Sequence, residues 1–184
     1  SDWNFVAQFV LALMIASLMD YIVHRSFHTF KWMWWFHAVH HDTPQMHIMK
    51  SARVHFGEEV INSATKPLPL ILLGAPTEII VLLGMWTVFD GNIAHANIHQ
   101  RFPGWFHYIL GTVQLHNLHH ARDRKYQDSN YSGTIPLWDM LFRTYNHPDK
   151  SDLGEMGLDN NPVPPGFLQQ VIYPFKMQLA PHTE

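Results

Sequence analysis

Ten of the fifteen histidines in this 184-residue chain fall into four short motifs. His24 and His28 stand four apart, as do His95 and His99; His37, His40 and His41 form an H-x-x-H-H, and His116, His119 and His120 form a second. Residues three and four apart share one face of a helix, so each motif aims two or three imidazoles in one direction. One such pair is commonplace in a protein core. Four of them constrain the fold, because gathering ten imidazoles without a metal strands ring nitrogens at a cost of about 1–3 kcal/mol each. The four stretches are therefore expected to converge on metal.

The count also narrows the kind of centre. The chain has no cysteine, which removes thiolate zinc sites, iron–sulfur clusters, disulfides and a thiol nucleophile. Three histidines suffice for one catalytic zinc, whereas ten suit two ions with about five ligands each. Carboxylate-bridged di-iron bundles use Glu-x-x-His and zinc proteases use H-E-x-x-H; neither occurs in the sequence. An all-nitrogen centre for two metals remains, and imidazole suits zinc, copper, iron and nickel alike.

The surroundings read as membrane. Trp3 to Val23 is almost unbroken apolar sequence, and twenty-one helical residues reach about 31 Å, the thickness of a bilayer's hydrocarbon core. A second apolar region, Val60 to Val88, is interrupted at Lys66-Pro67, Pro69 and Gly74-Ala75-Pro76. Those breaks predict two shorter helices, near 60–73 and 77–99, joined by a turn around Gly74 to Pro76. A single span would deliver His95 and His99 to the face opposite His24 and His28; a re-entrant hairpin returns them to the same side. Trp32, Trp34, Trp35 and Phe36 suit the membrane–water boundary, and residues 100–155 read as water-facing. A loop over 159–165 leads to an apolar stretch, Phe167 to Phe175, that either packs on the body or lies at the boundary. Arg25, Lys31, Lys50 and Arg53 flank the histidine-bearing side, which fits a cytoplasmic location. The expected fold is all-α: an integral membrane protein with one long transmembrane helix, a short re-entrant hairpin and a cytoplasmic histidine-rich cap. A net charge of −3 without a basic block argues against nucleic acid as a partner.

Longer motifs surround the histidines. Asp20-Tyr21 precedes His24-Arg25 and His28; Trp35-Phe36-His37-Ala38-Val39-His40-His41 forms one run; Ser51-Ala52-Arg53-Val54-His55 precedes Glu58; and His95-Ala96-Asn97 precedes the last histidine motif. After it come Asn130-Tyr131, Leu137-Trp138-Asp139, Leu141-Phe142 and Thr144-Tyr145, and the tail runs from Val163-Pro164 to Pro174-Phe175. This combination resembles the membrane-bound fatty acid hydroxylase/sterol desaturase superfamily, the tail its bacterial members. The sequence departs from the pattern at Phe56, where proline is common, at Gln114-Leu115, where a proline is common nearby, at Ala121 for serine and at Arg143 for glycine.

The resemblance implies one domain over 1–184, with further membrane helices upstream, in a bacterial inner membrane. It implies two non-haem irons, replaceable by zinc on purification, that use dioxygen to hydroxylate or desaturate an unactivated C–H bond of a sterol or fatty acyl lipid. The implied iron ligands are His24, His28, His37, His40, His41, His95, His99, His116, His119 and His120. His55 is either a further ligand or a supporting donor. Asp20, four before His24, is expected to accept the other N–H of a ligand imidazole, with Asp123 and Asp139 as weaker candidates for that role. Arg53 and Glu58 are expected to form an ion pair, and His47, His107, His147 and His182 to be surface or interface residues. With no G-x-G-x-x-G and no cysteine, flavin, haem and iron–sulfur binding lack their usual motifs, so electrons are expected from a separate ferredoxin, cytochrome or reductase. Two other classes compete: a lyase on the same scaffold, and a histidine-rich metal transport or storage protein.

Overall fold

The computed structural model describes residues 4–98, 102–150, 154–160 and 162–179. Among these the chain is helical, with no strand beyond one isolated bridge between Ala121 and Met156. Helix α1 (Phe5–Thr29) opens where the Asn4 side chain accepts the Val6 amide at 2.8 Å, a standard N-cap. Its 25 residues extend about 37 Å, so the helix continues past the apolar run that ends at Val23 and carries His24 and His28 on its last turns. Phe30 is extended, and this corner turns the chain directly into α2 (Lys31–His41).

The hairpin is present, with different boundaries. Helix α3 (Phe56–Thr65) begins earlier than expected and stops before Pro67; α4 (Leu68–Leu72) is a separate short helix. Proline 67 lacks the N–H that would continue one helix through it. Gly74, at φ +70°, makes the turn, and α5 (Thr77–Ala94) returns. That helix ends at His95 rather than 99, and His99 lies outside the described residues. Ile61 of α3 packs by Val23 and Phe27 near the histidine end of α1, while Leu70, Ile79 and Leu83 close on Ala12 near its start. The hairpin thus descends along α1 and climbs back beside it.

Helices α1 and α5 are each long and apolar enough to cross a membrane. Their outer faces separate them from the core helix of a water-soluble bundle, which would be mostly buried. Only 22% of the α1 span and 11% of the α5 span is covered by protein. Val6, Val10 and Leu11 on α1, and Met85, Val88 and Phe89 on α5, all stand exposed.

The cap consists of α2, α6 (Val113–His119), α7 (Arg124–Gln127), α8 (Leu137–Leu141) and α9 (Phe167–Leu179). The tryptophan run divides around α2: Trp32 is exposed, and Trp34 and Trp35 are half-buried against Ala38, Val39 and Tyr173. Residues 102–150 are less water-facing than expected, since Trp105, Ile109, Leu141 and Phe142 are exposed apolar groups. A loop stitches the cap to the apolar helices. Gly133 N–H donates to Asp20 at 3.2 Å, Thr134 Oγ1 donates to Asp90 at 2.7 Å, and Trp138 Nε1 donates to Ser17 at 2.9 Å. Here Gly111 is required: its N–H donates to the Thr134 carbonyl at 2.8 Å, and a Cβ would lie 1.6 Å from the Gly133 oxygen. Arg143, where the family pattern favours glycine, stands at φ +61°, the left-handed conformation glycine adopts most readily.

Candidate metal centre

Nine imidazoles gather into two buried groups at the end of α1 and α5. His24, His28, His37, His41 and His119 form one; His40, His95, His116 and His120 form the other, with the prospective ligand atoms of each group within 4.8 Å of one another. Adjacent histidines part company. His41 and His119 go to the first group, while their neighbours His40 and His120 go to the second. The helix dictates this, because residues one apart diverge by about 100° whereas residues four apart align; thus His37 joins His41, and His116 joins His120. The groups abut one another, with the His41 and His120 rings stacked at 4.4 Å between centroids.

The opposite ring nitrogens decide the protonation. His24 Nδ1 lies 2.7 Å from the Tyr131 carbonyl, His119 Nδ1 2.8 Å from that of Ser129, His95 Nδ1 2.7 Å from that of Gly91 and His40 Nδ1 3.3 Å from that of Arg53. His37 Nδ1 lies 2.8 Å from Glu58 Oε1, and His28 Nδ1 3.1 Å from Asp128 Oδ1. Carbonyl and ionised carboxylate oxygens only accept, so each of these Nδ1 atoms carries the proton and donates it. In the neutral ring, Nε2 is then a bare lone pair. Burial, reinforced by neighbouring imidazoles, holds His40, His41, His116, His119 and His120 well below the ordinary histidine range, and burial pushes His95 down to about 4. These six rings favour the neutral form.

Those lone pairs face one another. His24 Nε2 lies 3.1 Å from His37 Nε2, and His40 Nε2 lies 3.0 Å from His95 Nε2; in the latter pair both Nδ1 atoms already carry the proton. Imidazole nitrogens about 2.0–2.1 Å from a shared ion fall about 3.0–3.4 Å apart, depending on geometry. His28 Nε2 is buried without a hydrogen-bond partner. The donor set fits a cation in each group.

Other expectations need correction. Asp20 does not support His24: its carboxylate takes Lys66 Nζ at 2.6 Å and the Gly133 amide, and the His24 proton goes to Tyr131 instead. Glu58 does not pair with Arg53, which donates to the Asp42 carbonyl; Glu58 accepts from His37. Burial alone would raise the Glu58 pKa, but His37 beside it holds it below the usual range. His55 joins neither group. Its Nδ1 caps α3 by accepting the Gly57 amide at 2.9 Å, and its Nε2 donates to the Val171 carbonyl at 2.9 Å, tying α9 to α3. Asp123 caps α7 through the Lys125 amide. Asp139 accepts the Tyr131 and Ser132 amides at 2.9 and 2.8 Å, and so steadies the loop whose carbonyl holds His24. His47 is exposed and His147 half-buried. His107 is fully buried, with Nδ1 2.8 Å from Thr112 Oγ1, and His182 lies outside the described residues.

Sequence reading missed the segment Asp128-Ser129-Asn130-Tyr131. Asp128, Ser129 and Tyr131 hold His28, His119 and His24 respectively, three of the five rings of the first group. Asn130 sits at φ +52°, a conformation asparagine tolerates better than most residues, and its side chain pairs with the Asn146 backbone through bonds of 2.9 and 3.0 Å. The Asn130-Tyr131 signature was visible in the sequence; its job was not.

Known proteins bear on this geometry directly. The chain is 33% identical over 174 residues to ornithine lipid hydroxylase OlsE of Rhizobium tropici, a match covering 95% of this chain and 52% of that protein. It is 29% identical over 128 residues to human alkylglycerol monooxygenase, covering 68% of this chain and 27% of that one, and 21% identical over 159 residues to the Caenorhabditis elegans alkylglycerol monooxygenase, covering 86% and 31%. The chain thus spans about half the length of the first of these and less of the others. No solved structure matches. The pattern described as "Fatty acid hydroxylase" matches residues 9–144, an interval holding every clustered histidine and the loop that orients three of them, and the chain belongs to that family.

Proposed function

We propose that this chain is the metal-bearing part of a dioxygen-dependent lipid hydroxylase, with two iron ions held by the two histidine groups. The observation that carries this reading is the pair of abutting, buried, all-nitrogen groups set at the end of two lipid-exposed apolar helices. His24, His28, His37, His41 and His119 would hold one ion, and His40, His95, His116 and His120 the other, with His99 next along from His95 as a further ligand. Such a pair of irons supplies oxygen activation, which an unactivated C–H bond requires because it offers no acidic proton and no electrophilic carbon.

The chain's own residues supply the rest. Nδ1–H bonds to Glu58, Asp128 and backbone carbonyls fix the tautomers of His24, His28, His37, His40, His95 and His119 and aim their lone pairs inward. Burial disfavours protonation of His40, His41, His95, His116, His119 and His120, and the apolar flanks of α1 and α5 let a lipid approach without entering water. The overall conversion is R–H + O2 + 2e⁻ + 2H⁺ → R–OH + H2O, with both electrons from a separate carrier protein. The relatives' names, an ornithine lipid hydroxylase and alkylglycerol monooxygenases, favour hydroxylation over desaturation and a polar membrane lipid over a sterol. We place the site on the cytoplasmic side of a bacterial inner membrane, consistent with Arg25, Lys31, Lys50 and Arg53 around it.

Cells expressing the full-length protein under ¹⁸O2 provide the test, read by mass spectrometry of extracted lipids. One ¹⁸O atom in a polar lipid, absent with His37→Ala, is the expected result. Product oxygen derived from water, or no new lipid with an iron-loaded protein, would overturn the reading. A lyase or a metal store would give one of those results.

A further inference from the structure

Two electrons per turnover need a way in, and the chain has no sequence motif for a redox cofactor beyond the histidines. A recess of about 310 Å³ at the α1–α2 corner is lined by His28, Thr29, Lys31, Trp34, Trp35 and Arg124. It is polar and cationic, in a chain whose net charge is −3. Of the clustered histidines only His28 reaches its wall, and that side chain is 1% exposed, with Nδ1 held by Asp128. The recess therefore presents no metal-facing nitrogen, and a substrate atom seated there would be screened from the ions by the His28 ring.

What it does present is Trp34. The half-buried indole centroid lies 5.2 Å from that of His28 and 5.5 Å from that of His41, both in the first group. On the same ring, the Arg124 guanidinium carbon sits 5.7 Å from the centroid. Arg124 also grips Asp128 through Nε and Nη2 at 3.3 and 3.2 Å, and Asp128 holds His28. Two short aromatic and hydrogen-bonded links thus run from the recess to the first group.

We infer that this recess docks an acidic one-electron carrier protein, with Lys31 and Arg124 as its cationic rim and Trp34 as the bridge to the first histidine group. The inference rests on the iron reading above. Each docking would oxidise one reduced carrier by one electron, which the ions held by the first group's histidines would accept; two such electrons, with two protons and O2, balance one oxygen atom placed in the substrate and the other released as water. Charge on such a rim acts chiefly on the association rate and its salt dependence.

The test uses the iron-loaded full-length protein in lipid nanodiscs, mixed anaerobically in a stopped-flow instrument with reduced plant-type ferredoxin, an acidic protein, or with reduced methyl viologen, which needs no docking. Lys31→Glu is expected to lower the ferredoxin-to-viologen rate ratio about tenfold at low ionic strength and to flatten its salt dependence. Trp34→Leu is expected to lower the saturating ferredoxin rate about tenfold, with salt dependence and iron content retained, and Trp34→Phe to restore part of it. An unchanged ratio in Lys31→Glu, or an unchanged saturating rate in Trp34→Leu, would overturn the inference. So would variants that alter only lipid affinity under viologen-driven turnover, because the recess would then serve an anionic headgroup. If viologen also fails to reduce the wild-type centre, the iron reading falls and takes this inference with it.

Discussion

The two histidine groups are built from the same kind of side chain but are steadied differently. In the first, two rings lean on carboxylates, Glu58 and Asp128, and two on the carbonyls of the 129–131 loop. In the second, the bonds seen behind the rings run to backbone, with His95 held by Gly91 of its own helix and His40 by Arg53. A carboxylate behind a ligand imidazole raises its basicity as well as fixing its orientation. The first group should therefore bind its cation more tightly, and its affinity should depend on distant parts of the sequence. In the second, only the His95 bond is local to its own helix.

The most severe way to break this comparison is to remove a ring from each side. His119→Ala and His95→Ala should each lower metal content from two ions per chain toward one, measured by plasma mass spectrometry after loading. Loss of both ions with either variant would mean that the two groups act as a single site. Next, Glu58→Ala should weaken binding at the first group by about 10–100-fold while leaving the second unchanged in a competitive chelator titration. Asp128→Asn should fall near the low end of that range, about tenfold, because Asp128 is 36% exposed against 5% for Glu58 and its bond is longer, 3.1 against 2.8 Å. The smallest effect on metal should come from Asp20→Asn. It disturbs the Lys66 pair and the Gly133 amide, so we expect about 1–3 kcal/mol of lost stability, seen as a lower Tm with metal stoichiometry intact. A drop in metal affinity with an unchanged Tm would return Asp20 to the role expected from its spacing.

What could be read in advance was whatever depended on short spacing. The i,i+4 pairs, the apolar run of α1 and the Gly74 turn follow local rules, and convergence of the motifs followed from the cost of stranding so many ring nitrogens. Partners that arise from tertiary closure were beyond reach. Glu58 lies 21 residues from His37, and Asp128 lies 100 from His28, and no periodicity links such positions. Asp20 misled for the same reason. Four residues from His24 it shares a helical face, yet the loop at Gly133 and the Lys66 ammonium reached it first. Proline 67 divided a stretch read as one helix, because the apolar pattern carried across a break that the missing N–H does not allow.

The Gly111–Thr134 stitch has a practical consequence. Because the 132–134 loop is wedged between α1 and α5 by Asp20, Asp90 and the tight Gly111 approach, the histidine-bearing half is not a lid resting on an anchor. Anyone trimming away the greasy helices to obtain a tractable water-soluble fragment would unpick the knot that holds the metal cradle closed.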